Sequence, residues 1–166
     1  TMAQALELYM VSSGMFGTGD IPPIRVMHAF PQLETMHSFS KDKLEKMIND
    51  SIMIPDFSDK KFPGKMKPYV ESQKNSLREA TDSLFYKQFK NGNTLWCESI
   101  GNEGKRILGR TFDVCFFDEV QDMTEVAISK TTKCLTHAQH GPKPGGVQIY
   151  FGTPRQKGTF FHRIWE

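Results

Sequence analysis

Several things are scarce in this 166-residue sequence. Its three cysteines cannot make a fully paired framework, and two of them sit among apolar neighbours. That excludes a secreted disulfide scaffold and points to a reducing compartment. No apolar run approaches the roughly 18 residues that a membrane-spanning helix requires. The opening stretch, Thr1 to Leu8, carries neither the basic flank nor the apolar block of a signal peptide, so no leader and no membrane association are expected. There is little net charge, +2 from 21 Lys and Arg against 19 Asp and Glu, which excludes a strongly basic nucleic-acid tail. Internal repeats and low-complexity tracts are missing too.

What is present can build a core. Hydrophobic residues make up 38% of the chain and include 13 Phe and 9 Met, enough for one ordinary domain. The small net charge hides an asymmetry. Residues 60–110 hold eleven cations and five anions, leaving that segment at +6 and the remainder at −4. Such a segment can follow a phosphate backbone or a nucleotide, although a solvated lysine-rich surface has the same composition.

The pattern predicts a helix over Thr1–Val11, with Ala3, Leu6 and Met10 on one stripe and Ala5, Leu8 and Tyr9 widening it. A Gly- and Pro-rich loop, a strand over Ile24–Phe30 and a helix from about Ser40 follow. Residues 51–68, with Pro55, Pro63, Gly64 and Pro68, read as an irregular excursion. The strand-like runs Ser83–Phe89 and Thr94–Ile100 flank Asn91-Gly92, a strong hairpin signal because both residues tolerate positive φ. A basic, Gly-containing loop leads to Phe112–Phe117. That run does not alternate, as befits a strand covered on both faces. Thr124 to Gln139 reads as a helix with Val126, Ile128 and Leu135 as its apolar points. A strand over Val147–Phe151 and a helix from Phe160 close the chain. The alternation of strand and helix predicts an α/β fold.

Two features carry chemistry. The apolar run ends abruptly in Asp118-Glu119, and two carboxylates beside a buried strand are costly unless compensated. In open α/β sheets ligands gather beyond the carboxyl ends of the strands. There Asp118 can hold a hydrated Mg²⁺, and Glu119 can orient an attacking water or take its proton. A second strand ends in Gly152-Thr153-Pro154. If the two strands are neighbours, Thr153 lies near Glu119 and its hydroxyl can sense a γ-phosphate. Either feature alone is compatible with an ordinary strand-ending turn.

Thr111–Met123 resembles the Walker B segment of viral large terminases, the ATPase motors that package DNA into phage capsids. Ile149–Trp165 resembles their coupling motif and the helix after it, and the hairpin followed by a basic Gly loop also fits. The specific motifs occupy the last 70 or so residues. The resemblance implies a RecA-like (ASCE) P-loop NTPase fold: a parallel sheet flanked by helices, incomplete at its N-terminus, with an added β-hairpin. It implies ATP and Mg²⁺ as cofactors. Asp118 would be the metal residue, Glu119 the catalytic glutamate, and Gly152, Thr153 and Pro154 the coupling motif. An arginine before Walker B, Arg110 or Arg106, would act on the γ-phosphate. The implied partners are double-stranded DNA, a portal protein, a small terminase subunit and further copies in a ring. The implied location is the host cytoplasm, at the procapsid.

Phosphate binding in that family needs Gly-x-x-x-x-Gly-Lys-[Ser/Thr], and the sequence has none. The nearest match, Gly14–Gly19, is followed by Asp20-Ile21, where an anion would repel phosphate. Because Thr1–Leu6 resembles the helix after a P-loop, residues 1–166 are expected to be a partial ATPase domain. Thr1 would be the last hydroxyl of the loop or the residue after it, and no nuclease domain follows. On this expectation strand edges are exposed and the chain alone does not hydrolyse ATP. Two other readings are a helicase core, because Asp118–Asp122 also matches an Asp-Glu-x-Gln-Asp pattern, and a non-catalytic module without a P-loop. Cys134, His137 and His140 share a face at helical spacing but lack a fourth zinc ligand. Tyr86, Phe89 and Trp96 read as hairpin packing before base stacking, and His162 and Trp165 as anchors of the last helix.

Overall fold

A strand that is apolar on every residue needs cover on both faces, and Val114–Phe117 is buried throughout. The computed structural model describes residues 2–12, 22–44, 46–47, 85–89, 92–135, 145–153 and 157–165. Its strands are β1 (Arg25–Phe30), β2 (Tyr86–Gln88), β3 (Thr94–Ser99), β4 (Val114–Phe117) and β5 (Val147–Tyr150). They form one sheet in the order β2-β3-β1-β4-β5. The ladders from β3 through β1 and β4 to β5 are parallel, and only β2 runs antiparallel, against β3. The helices are α1 (Met2–Ser12), α2 (Leu33–Ser38), α3 (Glu125–Lys133) and α4 (Phe160–Trp165). The chain is therefore α/β, with a mixed, mostly parallel sheet flanked by helices. No described helix is long and apolar enough to cross a membrane.

Period-two alternation sorts the strand side chains into two cores. Val26 and Phe30 of β1 face one way, with Leu95 and Phe116, into a cluster with Leu8, Val11, Met36 and Leu44. Met27 and Ala29 face the other way, with Cys115 and Phe117, toward Ile107, Ala127, Ile128 and Leu135. Two buried polar groups tie the layers. Asn93 accepts from the Ile24 amide at 2.9 Å and donates to the Val11 carbonyl at 3.0 Å, so one side chain joins the end of α1, the approach to β1 and the hairpin. Asp113, just before β4, accepts from the Arg25 amide at 2.8 Å and pairs with its guanidinium at 3.3 Å.

Local chemistry explains the boundaries. Thr124 caps α3 by accepting from the Ala127 amide, and Glu125 at its start and Lys130 and Lys133 near its end suit the helix dipole. The hairpin turn holds Gly92 at φ +84°, and the Phe89 amide donates to the Asn93 carbonyl at 2.9 Å.

Some expectations need correction. The buried face of α1 is Glu7, Leu8, Met10 and Val11, whereas Leu6 and Tyr9 are exposed. The helix is rotated from the predicted stripe because Glu7 turns inward to a buried partner. The helix after β1 starts at Leu33 rather than near Ser40, and passes into a π-helical turn over Phe39–Leu44. In α3 the apolar points are Ala127 and Ile128, while Val126 is exposed. The predicted excursion at 51–68 and the far end of the predicted 124–139 helix lie outside the described residues. Among the described residues β5 pairs only with β4, and all four of its residues are half-buried.

Candidate functional site

The parallel register puts the carboxyl ends of β1, β4 and β5 along one edge of the sheet. The Asp118 amide donates to the Ala29 carbonyl at 3.0 Å, extending the β4 ladder by one residue. The Asp118 side chain is half-buried, and its Oδ1 accepts from the Glu119 amide at 3.0 Å. At Glu119 the chain leaves the strand in a left-handed conformation, φ +53° and ψ +44°. It is the one non-glycine residue with positive φ among the described residues. That conformation costs an L-residue about 1–2 kcal/mol, and such strain gathers at functional sites.

The turn after β5 lies directly against this one. The Val120 amide donates to the Phe151 carbonyl at 3.0 Å, and the Thr153 amide donates to Gln121 Oε1 at 3.2 Å. Gly152 is where the two turns touch. A Cβ there would stand 2.2 Å from Gln121 Oε1 and 3.3 Å from the Val120 nitrogen. The expected neighbourhood of Thr153 and the acidic pair is thus present, through Val120 and Gln121. Thr1 and Pro154 lie outside the described residues.

Behind Asp118 is a buried ion pair. His28 of β1 and Glu7 of α1 are 1% and 0% exposed, and Nδ1 of His28 lies 2.8 Å from a Glu7 carboxylate oxygen. The imidazole is stacked on Phe30 at 4.3 Å and tilted against Phe39 at 4.4 Å, which fixes the ring plane. Its other nitrogen, Nε2, faces Asp118 Oδ2 at 3.6 Å, just beyond hydrogen-bond length. Burial by itself lowers the His28 pKa, but the Glu7 charge and the facing Asp118 outweigh it and raise it to about 9. The ring is therefore an imidazolium at neutral pH. Asp118 is held below its ordinary value, first by His28 and then, against the opposing effect of burial, by the Glu119 amide and the more distant Lys43.

The arginines are placed differently. Arg110 pairs with Glu98 at 3.2 Å and lies over the Trp96 ring at 4.3 Å. Arg106 is exposed in the turn over Lys105–Ile107. Neither makes an ion pair with Asp118 or Glu119 among the described residues. The basic loop crosses the face of the sheet that holds Trp96, whereas Asp118 shares the opposite face with His28. Trp96 also packs on Tyr86 at 4.4 Å, which fits the hairpin-packing expectation. Cys134 is buried and donates to the Ile107 carbonyl, while His137 and His140 lie outside the described residues. No group of three metal-ligating side chains occurs among the described residues.

Reading the sequence for site residues missed Glu7, His28, Gln121 and Lys43. Local signals were slight: His28 occupies an ordinary strand position, Gln121 stood in the Asp-Glu-x-Gln-Asp run without a role, and Glu7 interrupts the predicted apolar face of its helix. An acidic residue within that predicted apolar face was the available signal. No protein-family model matches the sequence, and no curated protein matches it.

Proposed function

We propose that this chain is part of the ATP-hydrolysing domain of a viral large terminase, the motor that drives double-stranded DNA into procapsids. The observation that carries the reading is the pair of adjoining turns at the ends of β4 and β5. One bears Asp118-Glu119, and the other bears Gly152-Thr153. A RecA-like ASCE sheet has this arrangement, with the acidic strand flanked by parallel neighbours, as β4 is by β1 and β5.

The residues fit a hydrated Mg²⁺ better than a metal caged by protein. Asp118 is a single, partly exposed carboxylate, and Mg²⁺ typically takes one or two carboxylates and fills its other positions with water and phosphate oxygens. Bound with ATP, the ion would neutralise charge on the phosphates. Asp118 holds that side of the site. Glu119, set off the strand by its left-handed turn, orients water and takes its proton. Thr153 responds to the γ-phosphate and passes the difference to Gln121 and the β4 turn. Arg110 can serve as the γ-phosphate arginine only after release from Glu98 and Trp96, and the exposed Arg106 only after its loop comes round from the same face.

The sequence has no Gly-x-x-x-x-Gly-Lys-[Ser/Thr] run to cradle phosphate. On this reading a further segment supplies it and pairs with the accessible edge of β5. Portal protein, a small terminase subunit and a ring of copies are the partners of such a motor, in the host cytoplasm at the procapsid. The test is ATP turnover by residues 1–166 alone and joined at Thr1 to a segment that carries Gly-x-x-x-x-Gly-Lys-[Ser/Thr]. The short chain should be inactive, and the joined chain should hydrolyse ATP and lose that activity in Glu119→Gln. Turnover at motor rates by the short chain, or turnover that survives Glu119→Gln, overturns the proposal.

The engagement of Gln121 with Thr153 favours a second reading, a helicase-type core built on Asp-Glu-x-Gln-Asp. DNA-dependent strand separation by the joined chain would select it.

A further inference from the structure

We propose that His28, anchored by Glu7, is a positioning residue that holds the Asp118 carboxylate in a single orientation at the tip of β4. This inference rests on the reading of Asp118 as the metal-facing carboxylate, and it concerns how that residue is held.

The geometry supplies three supports. First, both oxygens of Asp118 face donors: Oδ1 the Glu119 amide at 3.0 Å, and Oδ2 His28 Nε2 at 3.6 Å. Second, Nε2 is fully buried without a hydrogen-bond partner, while Nδ1 is committed to Glu7. A histidine present only to pack the core needs one satisfied nitrogen and hides the other against carbon. Here the second nitrogen points at a carboxylate. Leaving a buried polar group unmade is costly, and a hydrogen-bond length of about 2.9 Å lies only about 0.7 Å away. Third, Phe30 and Phe39 clamp the ring, so it cannot turn away from Asp118. The three side chains form a line from α1 through β1 to the end of β4. Groups behind a ligating carboxylate fix its orientation, and losing one typically weakens metal affinity roughly 10- to 100-fold.

The experiment uses the 166-residue chain and nuclear magnetic resonance. Three-bond carbon couplings report the χ1 rotamer of Asp118, and proton cross-relaxation reports whether the His28 Nε2 proton is near the Asp118 β protons. The wild type should show one rotamer and that cross-peak. His28→Leu should average the couplings while the remaining amide spectrum stays native, and His28→Gln, which keeps a donor, should restore part of the preference. Should His28→Leu fail to fold, Glu7→Gln is the second variant; it weakens the charged anchor at Nδ1 and should also broaden the rotamer distribution. Couplings that ignore all the folded variants, or a wild type lacking the cross-peak, overturn the inference. The outcome is separable from the ATPase reading. Responsive couplings with no ATP turnover in the joined chain retain the positioning role and remove the motor. Turnover with unresponsive couplings does the reverse. If both hold, His28→Leu in the joined chain should raise the Mg²⁺ concentration for half-maximal turnover about 10-fold or more, and His28→Gln less.

Discussion

Glu7→Gln is the most informative single change to the buried pair, because it keeps the shape of the side chain and removes its charge. In the folded chain His28 is lifted from 6.5 to about 9, against the downward pull of burial and chiefly by Glu7. A folded value above the unfolded one means that folding tightens the hold on the proton. The resulting stability is complete below pH 6.5 and is lost as pH rises through about 9. At 1.36 kcal/mol per unit, it is on the order of 3 kcal/mol. That is comparable with the roughly 3–5 kcal/mol lost when one partner of a buried pair is removed. In Glu7→Gln the folded His28 value drops, so this contribution shrinks. Urea denaturation at about pH 6, 7.5 and 9.5 should show wild-type stability falling across the series and a flatter curve for the variant. The gap should be widest, about 2–3 kcal/mol, at the acid end and close toward pH 9.5. Parallel curves, with a gap that ignores pH, would refute the argument that Glu7 keeps His28 charged.

Three further changes probe other parts of the fold. Asn93→Ala strips partners from the Ile24 amide and the Val11 carbonyl, and denaturation should show a loss of about 2–4 kcal/mol; a loss below that range would mean the side chain is not the clasp described. Glu119→Gly relieves the left-handed strain at some cost in chain entropy. The melting temperature should rise by the equivalent of about 0.5–1 kcal/mol, and a fall would show that Glu119 is held by contacts rather than strained. Gly152→Ala drives a Cβ into Gln121 Oε1 and should cost about 1–3 kcal/mol. Adding Gln121→Ala should recover part of that in a double-mutant cycle, and simple additivity would deny that the two turns press on each other at that point.

The elements that were legible in the sequence are those whose cause is local. The apolar run before Asp118 reads as a strand covered on both faces because each of its residues is buried. Asn91-Gly92 marks the hairpin, and Thr124 marks the start of α3. Where expectation and structure part, either a partner distant in sequence intervenes or a local signal is absent. The face that α1 buries is set by Glu7 reaching His28, 21 residues away. The start of α2 at Leu33 was missed because its Gln32 N-cap makes no side-chain hydrogen bond and so leaves no capping signature.

The candidate site divides in the same way. Asp118, Glu119, Gly152 and Thr153 were readable as residue types at the ends of two strands, because strand endings are written in neighbouring residues. That the strands lie side by side, that Gln121 joins their turns across 32 residues, and that Arg110 faces Glu98 and Trp96 came from the sheet order. The sequence alone determined which segments are strands, turns and capped helices, since backbone preferences and side-chain period act over a few residues. Only the tertiary structure decided which carboxylate meets which cation, because that follows from strand register and the direction of each pleat.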